Sequence, residues 1–483
     1  MRCQSWGRFW EIETCPASGI PSASAFARST IVATGNSLFT GVAADCSGNV
    51  YAAGFQSGAV VSYSSGVSAT SAYTSGNNAL LVKYNSAGAV LWAKSVTTGS
   101  NNSQFNSLTV DAEGNVYVVG SQDGPGPFTY GGSLTLAAGG SGNNPVLIKF
   151  DSNGKALWGT TLISGYDNAS FHGLALDHAN NIYAAGYQRD TGEFDYGSGV
   201  KISGTAAYAN ALLVKYDATG KAQWAKTTIA GFSESTYNSV TIDGEDKIYV
   251  AGYQNGGGFD YGSGNVPADC GDKCSLLVRY DTAGNALWAN SVTTTTGIYS
   301  STFNSVTVDR AGNIYAAGNQ HSNNDYIYGG LSVSAGVTGQ FNMVVVRFSS
   351  SGQGIWGRSV TAGSSGSLVY GLATDRYGNI YAAGYQIDTG TFGYGNGVTA
   401  QAAVSNANAA MVKYDSSGNP QWARTVTSGA SGSELKGIAV DAAGNVYAGG
   451  SQALNGSYTY GSAISTTGGF TSGNNAVLLK FTP

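Results

Sequence analysis

The chain has 483 residues, of which 11% are charged, with 23 Lys and Arg against 28 Asp and Glu for a net charge of −5. Hydrophobic residues make up 42% of the chain, which is enough to form a folded core and more than is typical of a disordered chain. The basic residues form no cluster that could neutralise phosphates, and no apolar run is long enough to span a membrane as a helix, which argues against nucleic-acid binding and a membrane span.

Residues 1–21 contain charges at intervals and lack the apolar core of a secretory signal peptide. We expect them to form a poorly determined N-terminal tail. The Gly-, Ser-, Thr- and Tyr-rich composition of the rest is nevertheless typical of a secreted or cell-surface protein. The sequence therefore predicts an extracellular or envelope location without a recognisable signal peptide.

The remainder of the chain, residues 22–483, is a repeat with a period of 66 residues. Each copy contains Asp-x-x-x-Asn-Ile/Val-Tyr-x-x-Gly-x-Gln with small variations. The seven copies begin at Asp45, Asp111, Asp177, Asp243, Asp309, Asp375 and Asp441. Units that bury a face only against their neighbours form one body, so we expect a single domain.

Each copy predicts four short strands. In the copy around Asp309, one strand ends at Val308, a second covers 314–320, a third covers 343–348 and a fourth covers 354–361 around Trp356. Tight Gly-containing turns join the first strand to the second and the third to the fourth. Four-stranded units repeated radially form propeller blades, so the sequence predicts an all-β fold, a seven-bladed β-propeller with four antiparallel strands per blade.

The two ends of the chain complement each other. Most Trp residues precede the next repeat Asp by 19 positions, and the same spacing before Asp45 falls on Phe26. The last repeat stops at Phe481, after its third strand. We therefore expect the N-terminal strand at Phe26 to become the outer strand of the C-terminal blade, which closes the propeller and leaves no unpaired edge.

The repeated Asp-x-x-Gly-Asn-x-Tyr-x-x-Gly, followed by Leu-Val-Lys-Tyr-Asp and by Trp-Ala-Lys/Arg, resembles the bacterial β-propeller repeat known as SBBP. The resemblance covers residues 22–483 and implies a bacterial surface or envelope setting, with no established activity. The segment from Asp415 to Trp422 also resembles the tryptophan-docking motif of quinoprotein propellers, one residue shorter, which implies that the Trp packs between blades.

Four positions are identical in all seven copies: the Asp, the Tyr six residues later, the Gly nine residues later and the Gln eleven residues later. A residue that is identical in every copy is more often required by the fold than by a binding site. We interpret the Asp as a turn cap or as the partner of a basic third-strand residue. The Gln is interpreted as a clasp on the following backbone, or alternatively as one of a ring of ligand-binding amides.

The long segments after each Gln carry an aromatic-x-Tyr motif in six copies. These tyrosines are either an aromatic plug between loops or part of a Tyr-, Asn- and Ser-rich recognition surface. We name this surface the loop face. Its candidate ligand-binding residues are Tyr130, Tyr196, Tyr261, Tyr328, Tyr394 and Tyr460, with Gln188 and Gln254.

A second candidate site lies at the axial mouth, where the innermost strands begin. The residues five positions before each repeat Asp vary and are mostly polar, and they are followed by Gly or Ser. They form either a ligand-binding ring or a water-filled funnel. These residues are Thr40, Asn106, His172, Asn238, Asn304, Tyr370 and Lys436.

The sequence offers little for metal or cofactor chemistry. Its three His fall at separate positions in the repeat, so no three-His site is expected, and we predict neither a metal nor a cofactor. The five Cys are too few for a disulfide framework. Cys270 and Cys274 share one loop, where they form a local disulfide, stay free thiols or supply half of a metal site.

We therefore predict a non-catalytic, monomeric binding scaffold that holds a protein partner on the loop face. Two alternatives remain at this stage. One is a carbohydrate-binding lectin with repeated glycan pockets built from Tyr, Asn and Gln. The other is a propeller enzyme of the lyase or hydrolase type, for which the sequence shows no catalytic residues.

Overall fold

The computed structural model describes residues 24–165, 167–266, 271–294, 300–461 and 464–483. The regular structure of these residues is entirely β, as the sequence predicts. Within these ranges no helix is long and apolar enough to cross a membrane. The N-terminal tail assigned to residues 1–21 lies outside the described residues.

Each repeat contributes to a sheet of four antiparallel strands whose first strand is innermost, and we number the sheets in chain order. The outer strand of sheet 6 also pairs with Ser457–Tyr460 of the next repeat. Sheet 1 contains Ser37–Ala44, Val50–Gln56, Asn78–Tyr84 and Val90–Ser95; sheet 2 contains Ser103–Val110, Val116–Asp123, Asn143–Phe150 and Ala156–Thr160; sheet 3 contains Ala169–Leu176, Ile182–Arg189, Ala209–Tyr216 and Ala222–Thr227; sheet 4 contains Ser235–Ile242, Ile248–Asn255, Lys273–Tyr280 and Ala286–Ser291. Sheet 5 contains Ser301–Val308, Ile314–His321, Phe341–Phe348 and Gly354–Ser359; sheet 6 contains Ser367–Thr374, Ile380–Ile387, Ala407–Tyr414 and Pro420–Ser428; sheet 7 contains Ser433–Val440, Val446–Ala453, Asn474–Phe481 and Phe26–Ser29.

The ends of the chain meet in sheet 7, as predicted. Phe26–Ser29 pairs antiparallel with Asn474–Phe481, and Phe26 lies opposite Lys480. The N-terminal strand thus supplies the outer strand that the last repeat lacks. Because the outer edge of the third strand is paired in this way, the last sheet has the same four strands as the others.

The sheets pack face to face around a common axis. Each innermost strand contacts those of the two neighbouring sheets, and the innermost strand of sheet 7 contacts that of sheet 1. The hydrophobic cores lie between neighbouring sheets; one of them joins Tyr117 and Leu147 of sheet 2 to Phe171, Ile182 and Leu212 of sheet 3. This arrangement is a β-propeller architecture.

The repeat Asp organises the turn between the first and second strands. Asp309 Oδ1 accepts hydrogen bonds from the backbone N–H groups of Ala311 and Asn313. Its Oδ2 accepts from Asn313 Nδ2 at 2.7 Å and from the Tyr315 hydroxyl at 2.8 Å. In sheet 2 the equivalent carboxylate also lies 3.5 Å from Lys149 Nζ, so both roles expected for the Asp occur.

The outer-strand Trp joins one sheet to the next. Trp356 Nε1 donates to the Ser416 carbonyl at 3.2 Å, and its ring covers Gly418, which has a φ of +80°. A side chain at Gly418 would be strained by this φ and would meet the Trp ring. Trp356 is 7% exposed, whereas Trp92, Trp158 and the other described outer-strand Trp are half-buried.

The long segments between the second and third strands are not irregular loops. They form two-stranded ribbons, which the sequence analysis did not predict. The ribbons pair Val60–Ser64 with Val67–Thr70, Phe128–Tyr130 with Leu134–Leu136, Glu193–Asp195 with Lys201–Ser203, Phe259–Asp260 with Asn265–Val266, Tyr326–Tyr328 with Leu331–Val333, Thr391–Gly395 with Val398–Gln401, and Ser457–Tyr460 with Ile464–Thr467; Val32–Ala33 and Thr293–Thr294 add a short strand to the first and fifth.

Cys46 and Cys274 each form a disulfide bond. This finding removes the free-thiol interpretation of Cys274. Cys270, which the sequence analysis placed in one loop with Cys274, lies outside the described residues, as do Cys3 and Cys15.

Candidate functional site

The axial-mouth residues share one backbone feature, a β-bulge in the innermost strand. In sheet 3, Phe171 pairs with Gly186 and Gly173 pairs with Ala185, so His172 is the extra residue. A bulge re-aims a side chain out of the regular sheet pattern. The bulged residues of the sheets are Thr40, Asn106, His172, Asn238, Asn304, Tyr370 and Lys436.

The bulge explains the Gly found nine residues after each repeat Asp. A Cβ on Gly384 would lie 1.8 Å from the Leu368 carbonyl oxygen, and one on Gly186 would lie 1.9 Å from that of Ser170. No side chain fits at that distance, so the repeated Gly is required for the strand to bulge. The sequence signalled this position without showing its purpose.

The seven bulged residues surround one cavity of about 490 Å³ on the axis, which we name the axial cavity. A ring of small residues lies next to them and keeps the centre open: Gly41, Ser107, Gly173, Ser239, Ser305, Gly371 and Gly437. The structure therefore brings together all the residues that the sequence analysis assigned to the axial mouth. That they bind a ligand stays a prediction.

Several bulged residues also join neighbouring sheets. Each donates a hydrogen bond to a backbone carbonyl 65 residues further along: Thr40 to Phe105, Asn106 to Phe171, Asn238 to Phe303 and Asn304 to Val369, at 2.7–2.9 Å. His172 makes the corresponding hydrogen bond to the backbone of Tyr237. We name this contact the latch.

The cavity wall at sheets 6 and 7 departs from this pattern. Lys436 Nζ lies 3.4 Å from the centre of the Tyr370 ring and 3.0 Å from Glu434 Oε2. Burial, with a smaller contribution from Glu434, raises the pKa of Tyr370 to about 12, so its hydroxyl stays protonated. This part of the cavity carries the only lysine among the bulged residues.

A second cavity, of about 420 Å³, opens beside His172 between sheets 3 and 4. We name it the side cleft. It shares His172 and Asn238 with the axial cavity, and sequence analysis did not anticipate it. Its other polar lining comes from the end of the second strand, the start of the first and the residue before the third: Asn168, Tyr187, Arg189, Tyr208, Glu234, Thr236 and Tyr253.

The side cleft places His172, Tyr187 and Tyr253 near one basic residue, Arg189, and one acidic residue, Glu234. The rings of His172 and Tyr187 pack edge to face with centroids 5.4 Å apart. The Tyr253 hydroxyl donates a hydrogen bond to Glu234 Oε1. Arg189 is exposed, and its Nε lies 3.7 Å from Asp167 Oδ2.

The protonation states in the side cleft suit proton transfer. Burial lowers the pKa of His172 below its usual 6.5, while hydrogen bonds to Asn238 and to the backbone of Tyr237 act in the opposite direction. Burial raises the pKa of both Tyr187 and Tyr253. At neutral pH the cleft therefore holds a neutral imidazole beside protonated phenols.

The predicted loop-face site is corrected by the structure. Its six tyrosines are at most 3% exposed, so they cannot meet a ligand at the surface. Each hydroxyl donates to the Oε1 of the repeat Gln of its own sheet; for example, Tyr196 donates to Gln188 at 3.0 Å and Tyr261 to Gln254 at 3.1 Å.

The Gln residues are fully buried as well. In every sheet except sheet 7 the Nε2 group donates to a ribbon carbonyl, as Gln320 does to Val333 at 3.1 Å. This geometry confirms the clasp interpretation and excludes a ring of ligand-binding amides. The aromatic plug, the other interpretation of the tyrosines, matches their positions.

The other histidines lie away from the axial cavity. His178 contacts Asp246 across the first-to-second turns of sheets 3 and 4, and His321 ends the second strand of sheet 5. Across the described part of the chain, no group of three metal-ligating side chains comes together.

No family model matches the chain, and no curated protein does, so the resemblance to the SBBP repeat is not confirmed. Solved structures similar to it include a streptogramin B lyase (10% identity, TM-score 0.44, 94% of this chain and 98% of that one) and an ulvan lyase, a polysaccharide lyase bound to a GlcA–Rha3S saccharide (12%, 0.45, 91% and 97%). Another is the virginiamycin B lyase from Staphylococcus aureus (10%, 0.38, 78% and 94%).

These neighbours are propellers, in agreement with the all-β architecture described above. The proteins named are lyases, and none of them supports the prediction of a non-catalytic scaffold for a protein partner. The burial of the loop-face tyrosines independently removes the surface on which that prediction depended.

Proposed function

We propose that this chain is a seven-bladed propeller enzyme that binds an anionic saccharide across the axial cavity and the side cleft and cleaves it by β-elimination. The observation that supports this most is the position of His172. It lies on the wall between the two cavities, in edge contact with Tyr187 and in a cleft that also holds Arg189.

The proposed base is His172. A general base must be unprotonated at the working pH, and burial lowers the pKa of this imidazole. Contacts with the Tyr237 backbone and with Asn238 orient the ring, and in this proposal the ring nitrogen that carries no proton accepts the proton of the substrate. In this proposal the bulge supplies the base by turning the side chain into the cavity.

The proposed acid is Tyr187, whose raised pKa keeps its hydroxyl protonated. Arg189 is the proposed partner of the substrate carboxylate, since a guanidinium matches a carboxylate with two parallel donors. Glu234, held by the Tyr253 hydroxyl, has a second oxygen that can accept a hydrogen bond from a sugar hydroxyl.

The reaction balances without a co-reactant. His172 removes the proton from the carbon next to the carboxylate, and Arg189 stabilises the negative charge that develops on the carboxylate oxygens. The bond to the leaving oxygen then breaks as the carbon–carbon double bond forms. Tyr187 donates its proton to that oxygen, and solvent restores the two side chains to their starting protonation states.

The count of seven blades is part of this proposal. It is supported by the sequence repeats, each with its own four-stranded sheet, and by the contacts between successive innermost strands that run from sheet 1 to sheet 7 and back to sheet 1. We also propose that the enzyme works as a monomer outside the cell or in the envelope, where such saccharides occur.

The test is an elimination assay on a panel of uronate polysaccharides, including polygalacturonate, alginate and glucuronan. Each cleavage creates a double bond conjugated to the carboxylate, which is followed by ultraviolet absorbance. We expect activity on at least one polymer. A wild-type chain that produces no such absorbance on any of them, or that releases reducing ends without it, contradicts the proposal.

The informative variant is His172→Asn, because Asn occupies this position in three other repeats and preserves a latch donor. We expect it to fold normally and to lose about 10²–10⁴-fold in kcat. Tyr187→Phe should behave in the same way, whereas Tyr385→Phe, at the equivalent position of sheet 6, should retain activity. Full activity of His172→Asn would exclude His172 as the base.

A further inference from the structure

We propose that a second site, separate from the axial cavity, binds an oxoanion group carried on a sugar. It lies between sheets 5 and 6 on the face formed by the tight turns, where a cleft of about 500 Å³ opens. We name it the arginine cleft. Its charged and aromatic lining consists of Asp309, Arg310, Arg347, Arg376 and Tyr377.

The arginines mark a departure from the repeat. The residue after the repeat Asp is Arg only in sheets 5 and 6, at Arg310 and Arg376; elsewhere it is Cys46, Ala112, His178, Gly244 or Ala442. Both arginine side chains are exposed. The other sheets form without an arginine at this position, so the fold does not require one. Two neighbouring repeats that differ from the rest in the same way indicate a local function.

Arg347 adds a third guanidinium in a fixed orientation. Its Nη1 donates to the Ser416 carbonyl at 3.3 Å and its Nη2 to Asn313 Oδ1 at 2.6 Å. Both acceptors are uncharged, so these hydrogen bonds hold the group in place without neutralising it. Guanidinium groups bind sulfate, phosphate and carboxylate oxygens through paired donors.

The carboxylate of Asp309 also lines the cleft, and hydrogen bonds within the turn occupy both of its oxygens. Its Oδ1 accepts from two backbone N–H groups, and its Oδ2 accepts from Asn313 and from the Tyr315 hydroxyl. These hydrogen bonds hold it in the turn. Its oxygens are therefore already used by the fold.

Tyr377 points to a sugar as the carrier of the oxoanion. Its side chain is 70% exposed, and the Arg376 guanidinium lies 4.8 Å from the ring centre while donating to the hydroxyl at 2.6 Å. No other repeat has an aromatic residue at this position. An exposed ring beside fixed cations offers a flat face for a sugar ring, and the cleft volume lies within the range of small-ligand pockets.

Non-specific attraction does not account for such a site, since the chain has a net charge of −5 and repels polyanions overall. Binding must therefore depend on the local arrangement. The experiment measures the affinity of the full chain for dextran sulfate oligosaccharides and for neutral dextran of equal length, with inorganic sulfate as a competitor.

The test variant is Arg310→Ala/Arg376→Ala. The matched control, Lys155→Ala/Lys221→Ala, removes the same charge from two exposed lysines in tight turns on the same face. We expect wild-type binding of dextran sulfate over dextran, a loss of about tenfold or more in the arginine variant, and no loss in the control. Equal weakening in both variants, or no wild-type binding, would overturn the proposal.

The role of the sugar is tested separately with Tyr377→Ala. We expect this variant to bind dextran sulfate more weakly while inorganic sulfate binds as it does to the wild type. Unchanged dextran sulfate affinity would show that the cleft does not hold a sugar against the ring, and would overturn that part of the proposal.

Discussion

Substituting the buried Gln386 tests the clasp that fixes each ribbon to its sheet. Gln386 Oε1 accepts from the Tyr394 hydroxyl at 2.6 Å, and its Nε2 donates to the Ala400 carbonyl at 3.2 Å. Gln386→Leu keeps the size of the side chain and strands both partners in the core. Each unsatisfied buried group costs about 1–3 kcal/mol, so the loss is about 2–6 kcal/mol before the gain from a more apolar side chain.

The sharper test combines this change with Tyr394→Phe. In the wild type, Tyr394→Phe should destabilise the protein by about 1–3 kcal/mol, because it leaves Gln386 Oε1 without its donor. In the Gln386→Leu background the same change should stabilise it, because it removes the stranded hydroxyl. The sign of the Tyr394→Phe effect is therefore expected to reverse.

The assay is equilibrium urea unfolding of the wild type, both single variants and the double variant. Their unfolding free energies are compared provided that the dependence of the free energy on urea concentration is similar in all four. A useful control is Gln452→Leu, since Gln452 Nε2 has no hydrogen-bond partner among the described residues and only the Tyr460 hydroxyl would be stranded. Its cost should be smaller than that of Gln386→Leu. An effect of Tyr394→Phe that is equal in both backgrounds would refute the clasp.

Three further predictions concern the bulge, the Trp contact and the proposed base. Gly384→Ala should prevent stable folding, because its Cβ would lie 1.8 Å from the Leu368 carbonyl oxygen. Gly366→Ala, whose Cβ would lie 3.4 Å from its nearest neighbour, should leave the thermal unfolding temperature nearly unchanged. Trp356→Ala should cost about 3–5 kcal/mol in urea unfolding, and a loss below 1 kcal/mol would contradict its role between sheets. Because burial lowers the pKa of His172 below 6.5, the acid limb of kcat/KM should lie below pH 6.5; a limb above that value would contradict the assignment.

The repeat made the main features of the fold predictable. A strict period, two tight turns per unit and alternating strand patterns predict a four-stranded sheet in each copy, and the missing outer strand in the last copy predicts the pairing of Phe26 with the C-terminal strand. These features depend on local turn chemistry and on which strands lack a partner, both of which can be inferred from the chain.

The side cleft was harder to foresee, although a signal was present. Arg189 and Glu234 are charged residues at repeat positions that are mostly uncharged, and Tyr187 and Tyr253 share one position in consecutive copies. A search for departures from the repeat, instead of for what the copies share, would have selected them. The same search selects Arg310 and Arg376.

By itself, the sequence determined which residues the fold needs everywhere, because a residue repeated at one period meets the same backbone in every sheet. It also determined that seven variable residues would stand together at the axis. The tertiary structure decided which way the polar groups face. It turned the loop-face tyrosines inward, because a buried Gln needs a hydroxyl donor and a phenol ring fills the space between ribbon and sheet. It brought His172 and Tyr187 of sheet 3 beside Glu234 and Tyr253 of sheet 4, because bulged strands of adjacent sheets meet only when the sheets pack around the axis.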